Sequence, residues 1–267
     1  MADELPSKPL VEAILEIKWA PSGVGVRAGQ QIIPWKDPYY PLLVGILYES
    51  LKKRFPHVEE LPAQQIPDEL AAGIPKTRFR RSKDGWPLVQ TGPGLFSVNF
   101  TESYKWERFQ TTASEVYSLL ASSYRAAGAK GLPPLSSATL RYINAVEVPV
   151  EDHQSFIRDF LHVGVSVPDA VSKAKQVTGA PNSVDIRINW PLSSPRGAGS
   201  LQISSGTRAN VPAVIFNLSA SSQGKDAPIG ARVVGRWLSQ AHELLVETWF
   251  FSLIEGELEE RFRSTVT

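Results

Sequence analysis

A chain of 267 residues with 42% apolar and 21% charged side chains can bury a sizeable core, which excludes wholesale disorder. Its net charge of +1 excludes a global basic excess that would draw the chain to nucleic acid or an anionic membrane. The absence of cysteine excludes disulfides, thiolate zinc sites, thiol nucleophiles and iron–sulfur ligation, and fits a reducing compartment.

The N-terminus, Met1 to Pro6, lacks a basic region followed by an apolar run, so no signal peptide is expected. No stretch reaches the ~20 uninterrupted apolar residues of a membrane span. The expected location is the cytoplasm, without membrane contact.

Leu10 to Trp19 alternates apolar and charged residues with period two between Pro9 and Pro21, which predicts a half-buried strand. Ala20 to Tyr40 is loop-like and rich in Gly and Pro, and it carries Trp35, Tyr39 and Tyr40. Leu43, Ile46, Leu47, Leu51 and Phe55 have helical spacing, so a helix is predicted over 40–55, ended by Pro56. His57 to Lys76 is expected to be irregular. Strands are predicted at 77–81, 88–90 and 95–100, with a turn at Lys83-Asp84-Gly85.

The clearest helix is predicted over 103–127, with Trp106, Phe109, Ala113, Val116, Leu120 and Tyr124 on one stripe. Thr101 or Ser103 can cap it and Gly128 can end it. Residues 131–137, GLPPLSS, form the best internal linker. Beyond it a strand is predicted at 139–148, a short helix at 154–161, strands at 184–190, 200–204 and 213–219, and a long helix at 230–254. A solvated helix with internal salt bridges is expected from Glu255 to Arg263.

The order of elements repeats: strand, helix, two or three strands, long helix. The predicted fold is α+β, an internally duplicated unit with an antiparallel sheet backed by the two long helices. The halves are 1–130 and 138–267, packed as one globular unit.

Several short motifs run through the chain: Lys8-Pro9-Leu10-Val11-Glu12-Ala13, Val89-Gln90, Val98-Asn99, Tyr104-Lys105-Trp106 with Phe109, Arg141-Tyr142-Ile143-Asn144 and Ala241-His242. With them the chain resembles a sporadically distributed prokaryotic family of about this length. The resemblance covers nearly the whole chain. It implies neither an activity, nor catalytic residues, nor a ligand; the patchy distribution implies mobile-element, toxin–antitoxin or phage-defence neighbourhoods.

The sharpest cationic cluster is Lys76 to Lys83. As a strand it projects Lys76, Arg78 and Arg80 from one face, with Arg81, Lys83 and Trp86 extending it. Such a comb suits phosphates and a stacked base. It equally suits an edge strand that uses charge to block aggregation. Asn99, Arg141, Asn144 and His242 sit in apolar elements and would form either one structural network or a polar pocket. Trp35, Tyr39 and Tyr40 would form either a dimer interface or a lid on the core.

Gly23 to Gly29 departs from a dinucleotide loop, since its third glycine falls late and no helix follows at once. His242-Glu243 lacks the second histidine of a helical zinc site, and His57, His153 and His162 are dispersed. No nucleophile elbow occurs. The expected function is therefore partner binding or regulation, by a protein partner or a second copy, without catalysis, cofactor or metal. Nucleic-acid or nucleotide binding through 76–83 and an enzyme built from dispersed polar residues are the alternatives.

Overall fold

The computed structural model describes residues 5–21, 34–101, 104–179, 181 and 183–264. The glycine-rich stretch 23–29 lies outside them.

The first half begins with β1 (Leu10–Lys18) and α1 (Tyr40–Leu51), which starts on a proline in its first turn. It continues through β2 (His57–Glu60), β3 (Thr77–Arg80), β4 (Leu88–Gly92) and β5 (Leu95–Phe100) to α2 (Trp106–Ala126). β2 falls in a stretch expected to be irregular. It is short, acidic and pairs on one side only, with β3. The Asp84 turn forms as expected, with Asp84 at φ 60° and the Gly85 N–H donating to the Ser82 carbonyl. α2 has no side-chain cap, while Gly128, at φ 96°, ends its last turn.

The second half runs β6 (Ser137–Glu147), α3 (His153–Asp159), α4 (Asp169–Ser172), β7 (Asp185–Ser193), β8 (Arg196–Arg208) and β9 (Val211–Gln223). β6 begins on the last residue of the expected linker. α5 (Ala231–His242) passes into a π-helical stretch, Glu243–Phe250, then α6 (Phe251–Ile254) and α7 (Glu257–Arg263).

The described strands form one sheet of nine, antiparallel at every pairing, in the order β2-β3-β4-β5-β1-β6-β9-β8-β7. The fold is thus mixed α and β around a continuous antiparallel sheet. β1 and β6, the first strand of each half, lie side by side at its centre.

Strand alternation assigns two faces. The first carries Ala13, Leu15 and Ile17 of β1, Phe96, Val98 and Phe100 of β5, Leu140 and Tyr142 of β6, and Phe216 and Leu218 of β9, all buried. Phe109, Val116 and Leu120 of α2 and Leu238, Leu245 and Phe250 of the α5–π segment join the same core. Phe100 meets Phe109 edge-on at 5.3 Å, and Phe216 stacks with Phe250 at 6.2 Å. Full burial of each such Leu or Phe stabilises the fold by about 1.5–3 kcal/mol. No helix of the described residues is long and apolar enough to cross a membrane.

Candidate functional site

The expected polar pocket of Asn99, Arg141, Asn144 and His242 does not assemble. Arg141 and Asn144 are three residues apart on one strand, and an odd separation sends them to opposite faces. Asn144 lies on the first face and donates to the Phe216 carbonyl at 3.4 Å. Arg141 is exposed on the second face, between Ile14 and Ser219. Asn99 shares that second face, where its amide donates to Glu12 Oε1 at 2.7 Å and its oxygen accepts from Ser97 at 2.8 Å. His242 lies on the helix side, buried against β6.

His242 belongs instead to a chain of buried polar groups. Tyr104 and Tyr142 share a hydroxyl–hydroxyl hydrogen bond of 2.8 Å, and the Tyr142 hydroxyl meets His242 Nδ1 at 2.8 Å. Trp106 stacks on the imidazole at 3.7 Å and 7°. Burial pushes the His242 pKa down to about 4, so the ring is neutral near pH 7. A cavity of about 30 Å3 adjoins Tyr104, Tyr142 and Asn144, enough for a water but far below the size of a substrate pocket. The arrangement fixes α2 and α5 to β6 rather than offering a reactive base.

The basic strand is neutralised from within. Arg78 and Arg80 do project together, and both reach Glu59 of β2, at 3.2 and 2.8 Å. Burial works against the Glu59 carboxylate, but hydrogen bonds and charge from Arg80 and then Arg78 outweigh it and hold its pKa below the usual range. Arg80 also donates to the Gly85 carbonyl and lies 5.6 Å over the Trp86 ring. Lys76 is buried, bonded to Asp68 and to the Ile66 carbonyl. Only Arg81 and Lys83 of the cluster stay exposed. β3 is not an edge strand, because β2 covers it.

The aromatic loop turns inward. Tyr40 is buried, and Trp35 and Tyr39 are half-buried against the core. Asp37 anchors them, accepting from the Trp19 indole at 3.0 Å, the Tyr39 N–H at 3.0 Å and the Tyr124 hydroxyl. Burial, reinforced by Asp37, raises the Tyr124 pKa, and burial pushes Tyr40 up to about 12. The Tyr124 phenol is a structural donor. His153 is likewise fixed, between Ser205 Oγ and the Val148 carbonyl. Among the described residues no cluster of His, Asp and Glu has the makings of a metal site.

What remains is the second face of the sheet over β6, β9, β8 and β7. Rows of polar side chains cross it, running Arg141, Ser219, Ser200, Asn189 and then Asn217, Gln202, Arg187. None of these is buried. Arg187 donates to Gln202 across the strands at 2.7 Å. Across the whole face Arg78 and Arg80 pair with Glu59 and Lys18 pairs with Glu16, while Arg141 and Arg187 share the face with Glu12 and Asp185. Sequence reasoning missed this face apart from Arg141, although the alternation of Asn217, Ser219 and Ser221 signalled it.

No protein-family model matches the chain, and no curated protein matches it.

Proposed function

We propose that this chain is a non-enzymatic binding protein whose partner, a second protein, lies across the second face of the sheet over β6, β9, β8 and β7. The observation that carries the reading is the polar surface of Arg141, Ser219, Ser200, Asn217 and Gln202 on strands whose opposite side is core. A core-backed sheet holds its side chains in register before the partner arrives, which lowers the entropy lost on binding. Short Ser and Asn side chains add adaptable donors and acceptors at little further cost.

Charge separates the partner classes. A duplex nucleic acid needs several uncompensated cations for affinity. Glu59 already answers Arg78 and Arg80, and the rows over β6, β9, β8 and β7 are mostly uncharged Ser, Asn and Gln, which favours a polar protein surface. Nucleic-acid binding through 76–83 retains only Arg81 and Lys83. An enzyme built from Asn99, Arg141, Asn144 and His242 draws no support from residues divided between two faces. A regulatory partner encoded close by suits the genomic setting that the family resemblance implies.

The duplication belongs to the same reading. Both halves run strand, helix, strands, long helix, and the sheet order mirrors about the β1–β6 pair, with β5 beside β1 and β9 beside β6. α2 and the α5–π segment take equivalent places in that order. Two copies of one unit side by side supply a sheet wide enough for a protein-sized footprint.

The test is photo-crosslinking in native cells from a reactive side chain at Gln202, with exposed Ser118 on α2 as control. A discrete protein partner captured from Gln202 and not from Ser118 is the expected result. Capture of nucleic acid alone, or of no protein at Gln202, refutes the reading.

A further inference from the structure

A second surface, on the helix side of the sheet, is separate from the face above. Between β7 and the π-helical stretch runs an open apolar groove of about 670 Å3, walled by Ile188, Trp190, Leu192, Leu244, Trp249 and Leu253. Trp190 is 39% exposed there. The π-helix builds one wall. Its wider turn brings Leu244 and Trp249, five positions apart, to the same side, where an α-helix would splay them. Gly199 builds the floor, since a Cβ there would lie 2.4 Å from the Trp249 indole. Trp249 then meets Trp190 at 5.1 Å.

Gly164 lines this groove and starts a segment that leaves it. Residues 164–179 are exposed throughout apart from a half-buried Ala174. Val165, Val167, Val171 and Val177 are 51%, 46%, 59% and 46% exposed. The hydrogen bonds of this segment are local, such as Lys173 N–H to the Asp169 carbonyl. Single exposed valines are ordinary, but four on one arm beside an unfilled apolar groove are two halves of a contact.

We infer that residues 164–179 are an exchange arm, whose valines fill the groove of a second copy of this chain while the second copy returns the contact. Charge fits this occupant. On the arm Lys173 pairs with Asp169 and Lys175 stays exposed, while the groove-wall helix carries exposed Glu243 and Glu247. Reach fits too, since half the arm, extended, spans roughly 25 Å. One chain supplying both arm and groove makes a two-fold pair that closes without leaving a groove open.

Light scattering on the full chain tests the inference, with two variants. One replaces Val165, Val167, Val171 and Val177 by Ser; the other is Trp190→Arg. All five positions are exposed, and circular dichroism melting verifies that both variants fold. The expected result is a mass of twice 29.4 kDa for the native chain and 29.4 kDa for each variant. A monomeric native chain, whether its groove is filled by its own arm or by a different protein, overturns the inference. So does a dimer that survives either folded variant.

Discussion

His242 shows how one buried side chain imposes a pH limit on the fold. Burial lowers its pKa to about 4, with the Glu107 carboxylate on the first turn of α2 acting the other way. An unfolded histidine titrates near ~6.5, so the unfolded chain takes up the proton first as the pH falls. The stabilisation from a neutral imidazole is therefore complete above about pH 6.5 and is lost as the pH falls towards 4. The difference amounts to about 3 kcal/mol. His242→Phe keeps a ring against Trp106 but cannot titrate. Near pH 7 it is expected to destabilise the protein by about 1–3 kcal/mol, since the Tyr142 hydroxyl loses a partner. In urea titrations from pH 7 to pH 4 that deficit closes and then reverses, because only the native protein carries the acid-sensitive limb. A gap independent of pH would mean that the imidazole is already charged in the fold.

Among the elements, glycines in the second half separate those that hold a contact from those that merely occur. Gly199 on β8 faces the core side, where an added Cβ meets the Trp249 ring and Leu192. Gly235 lies within α5 with open space where its Cβ would be. Gly199→Ala is expected to destabilise by about 1–3 kcal/mol through overpacking. Gly235→Ala is expected to stabilise by about 0.5–1 kcal/mol through helix propensity. Thermal melts with tryptophan fluorescence read both; equal effects would contradict the Trp249 packing. The same half marks the limit of what the sequence discloses. β1 and α2 stand where their periodicity put them, because charged and polar side chains on their outer sides contrast with the apolar ones, and α1 is read from the helical spacing of Leu43, Leu47 and Leu51 alone. β8 and β9 extend well past 200–204 and 213–219, since Ser, Gly and Ala make a weak contrast and have little strand propensity. β2 is hidden in an acidic stretch. The division of the polar quartet was readable, because 141 and 144 differ in parity. The π-helical turn has no pattern of its own, and the inward turn at Tyr39 and Tyr40 depends on Asp37, a long-range partner of Trp19 and Tyr124.

Over the whole molecule, the described strands turn one face to the helices and the core, and over β6, β9, β8 and β7 the other face is left uncovered, so the charge on that face decides what it can hold. Near the β2 edge a single carboxylate, Glu59, answers both Arg78 and Arg80. The native protein should therefore show no salt-dependent binding to duplex DNA or RNA through this strip at low ionic strength, because Arg78 and Arg80 are already paired and release no counterions. Glu59→Gln removes the shared counter-charge and leaves Arg78, Arg80, Arg81 and Lys83 as a cationic strip beside Trp86. This variant is expected to gain weak binding that fades steeply with added salt, measured by fluorescence anisotropy. In the native chain the lowered Glu59 pKa also stabilises the fold above the ordinary carboxylate range, and that support is lost as the pH falls through the lowered value. Glu59→Gln should therefore be less stable than the native chain near pH 7 and converge on it in acid. Tight binding of nucleic acid by the native chain, with a slope of several counterions, would show that Glu59 does not neutralise the strip. The protein-partner reading of the sheet face would then give way to an electrostatic one.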